Sequence, residues 1–491
     1  MALVYGILFT LAFAPFDYSY LAIIALSLLF ASWQQVSPKR AMLRAYLFGL
    51  GSFGLGVSWV YVSIHDYGHV PVIISGLLTV IFVAVWAVFP MLTGYLSTVS
   101  SPKSGIRLLI TPVLWTLIEY LRGHLFLNGF PWLLCAYPQL ESPLAGYIPV
   151  LGVYGTGFLV TSIAAMLAFL MLYKRRAGVL VGAIAIILAV GLLLKTQTWT
   201  HPIGEAFKVA LVQGNINQDQ KWLPENKVKT LRLYQSLTEQ QWGTPVIIWP
   251  ETSVPAFYSE INAGFLQPLS QAAAQHHSNV ITSLPWDDNL MSEYYNAVMV
   301  LGKEQGIYRK THLLPFGEYL PWQPVSGFVL NLIGIRLGNF TPGNLNQPLL
   351  KAGGYAFITS ICYEDAFGDL AINNLQEAAY LVNVTNDAWF GHSIEGPQHM
   401  QIAQLRALET GRFLLRATNT GITGIVNPKG ELIKQAQPFT TTVLTGAITP
   451  MGGLTPYAKI GDKFILYSLL ILLGASVIYD RYLANKLKSQ V

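Results

Sequence analysis

Three short segments of this 491-residue sequence place a reactive side chain where an apolar run stops. Residues 246–249 lead into Pro250-Glu251-Thr252. Tyr308-Arg309-Lys310-Thr311-His312 leads into Pro315-Phe316-Gly317-Glu318. Ser360-Ile361 leads into Cys362-Tyr363-Glu364-Asp365. A carboxylate can take a proton, an ammonium can balance a developing negative charge, and a thiol can become a nucleophile. Read singly, each has an ordinary alternative: a loop glutamate, a solvated lysine on a strand edge, a small core cysteine. Other chemistries find less support. There are only two cysteines, Cys135 and Cys362, and no Cys-x-x-Cys pair, so neither a metal site nor a disulfide is expected. No Gly-rich phosphate loop is present. The glycines at 152–157 lie in an apolar stretch and read as helix packing.

The elements around these segments alternate. Residues 207–213, 246–249, 280–283, 355–361 and 380–384 read as buried strands, and 296–301 with 307–310 as a hairpin turning at 302–306. Helical rhythms occupy 225–242, 263–277 and 397–414. Strands alternating with helices indicate α/β layers, and 201–455 is long enough for one large domain.

The rest of the chain is of another kind. The composition is 53% hydrophobic and 11% charged, and the mean hydropathy is +0.44. A soluble domain carries roughly 25% charged residues, so a wholly soluble or a disordered chain is excluded. Apolar runs near 1–14, 18–36, 42–63, 71–98, 106–126, 144–172 and 178–194, with one more near 463–480, predict eight membrane spans: seven in an N-terminal domain (1–200) and one in a C-terminal segment (456–491). The formal charge of +5 divides unevenly. Residues 1–200 carry +6 and 456–491 carry +3, against −4 for 201–455. An acidic globular part argues against nucleic-acid binding. Lys39, Arg40, Arg44, Lys103, Arg107, Lys174, Arg175, Arg176, Arg481, Lys486 and Lys488 fall on alternate loops, whereas the opposite short segments carry only Arg122 and Lys195. The positive-inside bias predicts cytoplasmic termini and an external middle domain. Glu119 and Arg122, three apart near the end of the fifth span, read as a helix-end pair or as functional groups. Residues 128–132 are too broken for a helix and read as a re-entrant or interfacial loop.

A strand-end Glu, Lys and Cys in that chain order resemble the nitrilase superfamily, and more closely its membrane-bound branch, the apolipoprotein N-acyltransferases. The resemblance extends over nearly the whole chain: LAFAPFD (11–17), GVSWVY (56–61), NGFPWLL (128–134), VQGNINQDQKW (212–222), WPET (249–252), YRKTHLLPFGEYLP (308–321), ICYED (361–365), NDAWFG (386–391) and RALETGRFLLRATNTG (406–421). It implies an αββα sandwich carried on an eight-helix transmembrane base in a bacterial inner membrane, with the catalytic domain on the periplasmic side. It also implies transfer of a fatty acyl chain from a membrane phospholipid to the α-amino group of an S-diacylglyceryl-cysteine at an apolipoprotein N-terminus, without cofactor or metal. In that chemistry Cys362 is the nucleophile, Glu251 the general base, and Lys310 with the Tyr363 N–H the oxyanion donors. Glu318 and Glu364 support them, and Trp222, Trp389, Phe390 and the apolar stretch 322–336 are lid or membrane-belt candidates. Two other readings use the same residues: a membrane-tethered amidase, and a lipoprotein-binding scaffold without catalysis.

Overall fold

The structure is a computed structural model that describes residues 1–100, 104–173, 177–288, 293–322, 327 and 339–488. The predicted cytoplasmic charges Lys103, Lys174, Arg175 and Arg176, and most of the apolar stretch 322–336, lie outside the described residues. Packing divides the chain into two compact units. Met1–Tyr61, Pro71–Gln197 and Lys459–Val491 form the first, and Val62–Val70 with Thr198–Ala458 the second.

The first unit is helical. Each predicted span holds a helix, but their lengths differ. Among the described residues, Val72–Ser100, Pro143–Tyr173 and Ala177–Lys195 are long and apolar enough to cross a membrane. Pro38–Gly56 with Val60–Tyr67, bent by 59°, makes a fourth if counted as one span. Ala2–Thr10 has nine residues and Tyr20–Ser32 thirteen, short of the ~20 that a hydrocarbon core requires. The first helix is pressed against Pro38–Gly56 by small residues. A Cβ on Gly6 would sit 2.0 Å from the Phe48 carbonyl oxygen, and one on Gly51 would sit 2.1 Å from that of Leu3.

Glu119 and Arg122 turn inward rather than lie as an exposed helix-end pair, at 6% and 3% exposure. Arg122 Nη1 donates to the carbonyls of Phe130 (2.8 Å) and Trp132 (2.6 Å), and Glu119 Oε1 accepts from the Cys135 N–H (3.2 Å). The broken stretch is therefore a non-helical chain whose backbone groups are satisfied by buried charges, the condition under which irregular backbone survives at membrane depth.

The second unit holds two six-stranded sheets. The strands are β1 (His201–Pro202), β2 (Phe207–Gln213), β3 (Val246–Ile248), β4 (Asn279–Asp288), β5 (Glu293–Gly302), β6 (Gly306–Arg309), β7 (Leu350–Ala352), β8 (Tyr355–Ile361), β9 (Tyr380–Thr385), β10 (Leu414–Thr418), β11 (Gly424–Val426), β12 (Leu432–Gln435), β13 (Thr442–Ile448) and β14 (Met451–Gly452). The sheet orders are β13-β2-β3-β4-β5-β6 and β12-β11-β10-β9-β8-β7, while β1 pairs only with β14. Within each sheet three successive strands run parallel, β2-β3-β4 in one and β8-β9-β10 in the other, and antiparallel strands close the edges.

The inner faces meet in one apolar layer that includes Val209, Leu211, Ile248 and Val298 from one sheet and Phe357, Ile361, Tyr380 and Val382 from the other. Helices cover both outer faces. Leu231 and Tyr234 of Pro224–Glu239 and Leu269 and Ala273 of Gln267–Gln275 pack on Val212, Ile247 and Val280. Met400, Ala403 and Ala407 of Glu395–Thr410 pack on Ile358, Leu381 and Leu414. The result is an αββα sandwich.

The helix predicted over 397–414 stops earlier. Thr410 is its last residue, because Gly411 adopts φ +62° and caps it in the left-handed conformation. Residues 414–418 then form the central strand β10, disguised in sequence by the charged Arg416 in its middle. Phe357 is fully buried between the sheets and stacks on Tyr380 with ring centroids 5.2 Å apart. Phe357→Ala is expected to destabilise the second unit by about 3–5 kcal/mol, read as a lowered unfolding midpoint of the detergent-solubilised protein.

Candidate active site

The three strand ends converge. Glu251 follows β3 by the rigid pair Trp249-Pro250, Lys310 follows β6 directly, and Cys362 follows β8 directly and opens a 3₁₀ turn, Cys362–Ala366. Glu251 and Lys310 therefore come from one sheet and Cys362 from the other. Lys310 is buried (2% exposed) between two carboxylates: Nζ lies 2.8 Å from Glu318 Oε2 and 3.9 Å from Glu251 Oε1. Asn296, in β5, donates from Nδ2 to Glu251 Oε1 (2.8 Å) and to Glu318 Oε1 (2.9 Å), tying the two acids together. Glu318 Oε2 also accepts from the Leu314 N–H at 2.8 Å.

Glu364 fastens the turn that Cys362 opens to the other sheet. Its Oε1 accepts from the Tyr308 hydroxyl (3.0 Å), the Thr311 N–H (2.7 Å), the Thr311 hydroxyl (2.9 Å) and the His312 N–H (3.0 Å). Its Oε2 accepts from the Ile361 N–H (2.8 Å). One side chain thus spans from the residues after β6 to the end of β8.

Burial and charge set the proton affinities. Burial opposes the charge on Lys310, but Glu318 and then Glu251 hold its pKa above the ordinary lysine value. Burial raises the Glu251 carboxyl. Lys310 pulls it back, and Glu318 pushes it up again. The Cys362 thiol is pushed up to about 12 by burial first and then by Glu251, with Lys310 opposing. Cys362 is therefore a neutral thiol under two opposed charges, Glu251 disfavouring its ionisation and Lys310 favouring it.

Several participants are absent from the predicted set. Asn296 is one. Lys221 is another: it is 2% exposed, donates to the Glu251 backbone carbonyl at 3.3 Å, and is lowered by burial to about 8. Both sit within apolar or motif runs where nothing in local spacing singles them out. A third group lies behind Cys362. His399 sits between Asp365 (Nε2 to Oδ1, 3.0 Å), Asp387 (Nδ1 to Oδ1, 3.1 Å) and Glu395 (Nδ1 to Oε1, 3.2 Å), while Arg416 reaches Asp365 (2.9 Å) and Asp387 (3.2 Å).

Asp387, Glu395 and His399 present ligand atoms within 4.8 Å of one another, the spacing of a metal site. The surroundings do not fit one. Burial and Arg416 oppose the charge on His399, but Asp365 and Asp387 outweigh them and keep the ring protonated above its ordinary range. A cation here would have to displace that proton and face a guanidinium. The His65-x-x-x-His69 spacing makes no ligand pair either: His65 Nδ1 lies 2.8 Å from the Val70 carbonyl, and His69 Nε2 points toward Asp219 at 3.9 Å.

The lid candidates are placed as follows. Trp222 is 50% exposed and Trp389 is 41% exposed, with Phe390 half-buried beside it. Trp389 meets Tyr67 edge-on at 6.1 Å, so the short segment Val62–Val70 packs on the loop carrying it. Trp322 is exposed, and all but residue 327 of the remaining predicted lid stretch lies outside the described residues.

Comparison with known proteins decides the family. The profile of the "Apolipoprotein N-acyltransferase N-terminal domain" matches residues 5–166, and that of "Carbon-nitrogen hydrolase" matches residues 208–457. A relative from Methylococcus capsulatus named "Apolipoprotein N-acyltransferase" is 48% identical over 466 residues, covering 94% of this chain and 92% of the relative. One of the same name from Nitrosomonas europaea is 40% identical over 476 residues, covering 96% and 95%.

This chain belongs to the apolipoprotein N-acyltransferase family.

Among solved structures, Saccharomyces cerevisiae Nit3, of the nitrilase superfamily, aligns with 50% of this chain and 91% of its own at a TM-score of 0.39 and 17% identity. Within this N-acyltransferase family member, opposing charges act on the thiol, and the sign of each is testable. Removing the carboxylate in Glu251→Gln is expected to lower the Cys362 pKa and to speed its alkylation by iodoacetamide at a given pH. Removing the cation in Lys310→Met is expected to raise that pKa and slow alkylation. The rate-against-pH curve of intact protein, followed by peptide mass spectrometry, checks both; shifts of equal sign would contradict this account of the site's charges.

Proposed function

We propose that this protein transfers a fatty acyl chain from a membrane phospholipid to the free α-amino group of an S-diacylglyceryl-cysteine at an apolipoprotein N-terminus, through a thioester on Cys362. Family membership supports the overall reaction. The observation that carries the mechanism is the buried Glu251–Lys310–Glu318 cluster facing the Cys362 thiol.

Glu251 takes the thiol proton as Cys362 Sγ attacks the ester carbonyl carbon. The electron pair moves to the carbonyl oxygen, and that oxyanion is held by the Lys310 ammonium and the Tyr363 N–H. Collapse breaks the bond to the glycerol oxygen, which receives the proton from Glu251 and leaves as lysophospholipid. The neutral acceptor amine then attacks the thioester carbonyl and gives its proton to Glu251. The C–S bond breaks, and the proton returns to sulfur. Glu318 holds Lys310 in place, and Glu364 keeps the nucleophile turn against the residues after β6. Hydrolysis competes with the second half-reaction, so water must be excluded from the thioester. Trp222, Trp389 and Phe390 are suited to cover a lipid chain there.

The distribution of Lys and Arg supports an inner-membrane protein with eight spans, cytoplasmic termini and the catalytic domain, 201–455, in the periplasm. A cysteine placed at exposed Gln305 in a Cys362→Ala background is expected to react with a membrane-impermeant maleimide from the periplasmic side. Labelling only after the inner membrane is broken would overturn the orientation.

Incubated with phospholipid alone, the wild-type chain is expected to accumulate a fatty acyl mass on the Cys362 peptide, and Cys362→Ala none. Glu251→Gln is expected to slow adduct formation by roughly 10²–10⁴-fold. Full acyl transfer by Cys362→Ala would sink the mechanism. Amide hydrolysis without an acyl adduct would favour the amidase reading instead.

A further inference from the structure

Cys362 has φ +51°, a left-handed conformation unusual for a residue with a side chain. Such a backbone persists only where its surroundings hold it, and the structure shows what holds it on both sides. One residue upstream, the Ser360–Ile361 peptide is pinned by Glu364, which accepts from the Ile361 N–H at 2.8 Å. The peptide after Cys362 is pinned by Asn383, in the middle of β9, whose Nδ2 donates to the Cys362 carbonyl oxygen at 3.2 Å and to Ser360 Oγ at 2.9 Å.

Asn383 is fully buried, and its amide cannot rotate the other way. Its Oδ1 accepts from Arg416 Nη1 at 2.5 Å, and a guanidinium offers only donors, so the amide NH₂ must face Cys362. Arg416, itself fully buried, is held by Asp365 at 2.9 Å and Asp387 at 3.2 Å, and those two carboxylates are bridged by His399. A chain of hydrogen bonds therefore runs from a charged cluster on one side of the second sheet to the backbone of the nucleophile.

A trans peptide is planar, with its C=O and N–H on opposite sides. Whatever fixes the Cys362 carbonyl also fixes the direction of the Tyr363 N–H. We infer that Asn383, locked by Arg416, is a positioning residue that aims the Cys362–Tyr363 peptide and with it the N–H that receives the oxyanion. The inference rests on the thioester reading above. On this reading the buried Asp365–His399–Asp387–Arg416 cluster serves to keep one amide facing one carbonyl.

The experiment compares two reactions of the same sulfur. Acylation by phospholipid passes through an oxyanion, whereas alkylation by iodoacetamide displaces iodide from carbon and forms none. Asn383→Asp keeps the size of the side chain and a partner for Arg416 but loses the donor; Asn383→Ala removes both. In each variant the turnover number for acyl-Cys362 formation, read by mass spectrometry on the folded, monodisperse fraction, is expected to fall by about 10²–10³-fold, the loss typical of one oxyanion donor. KM for phospholipid and the alkylation rate at the same pH are expected to stay near wild type. Ser360→Ala, which removes the other partner of the same amide, is expected to acylate normally. Undiminished acylation in Asn383→Asp would overturn the inference. So would an alkylation rate that falls as far as the acylation rate, since the sulfur itself would then be misplaced. If wild-type protein forms no acyl adduct on Cys362, the thioester reading fails and this inference with it. If wild type forms the adduct and both Asn383 variants form it equally fast, this inference alone fails.

Discussion

A lysine ammonium held at 2% exposure is costly unless close partners replace its water, and the cluster around Lys310 is organised by that requirement. Glu318 sits against it at 2.8 Å while Glu251 stands off at 3.9 Å. The inequality matters. Glu318 is committed to the lysine and to the Leu314 N–H, so Glu251 carries the less compensated charge and is the carboxylate available to a proton. Asn296 bridges the two acids and keeps their spacing. One cation shared unequally by two acids thus leaves one carboxylate tightly paired and the other less so.

Meeting that requirement constrains the sheet. Glu251, Asn296 and Lys310 leave or lie on β3, β5 and β6, whose order in the sheet brings them to one end. Cys362 arrives from the second sheet, across the apolar layer between the two. Direction is supplied by Glu364, whose two oxygens take five donors, from the end of β8, from Tyr308 of β6 and from Thr311 and His312 after it. The same physics recurs in the first unit, where Arg122 and Glu119 satisfy the carbonyls and N–H of a non-helical stretch. In both places a buried charge survives because it organises backbone, and the backbone is irregular because a charge is there to satisfy it.

Much of this was legible in sequence, for a local reason. Apolar runs ending in Glu251, Lys310 and Cys362 mark strand ends, and period and residue type are properties of a short window. Glu318 and Glu364 stood in the same motifs, but other partners were not legible. Asn296, Asn383 and Arg416 lie inside buried strands, where a polar side chain reads as an interruption of the pattern rather than as a member of a site. Arg416 also hid a strand, so that the pattern of 397–414 ran on as helix past the Gly411 cap. Hydropathy located the helices of the membrane part but not their lengths, because nine or thirteen helical residues and a longer apolar stretch look alike until the chain turns.

The amino-acid sequence by itself determined the two kinds of chain, the alternation of strands and helices in α/β layers, and which reactive groups stand at strand ends, since these follow from composition and periodicity; the sandwich came from the family resemblance. Only the tertiary structure decided which carboxylate pairs with Lys310, that Cys362 is a resting thiol in a left-handed backbone, and that a buried asparagine holds its carbonyl. Those outcomes depend on distances of a few ångströms between residues far apart in the chain, and on burial that sets how strongly charges act on one another. No local window contains either quantity.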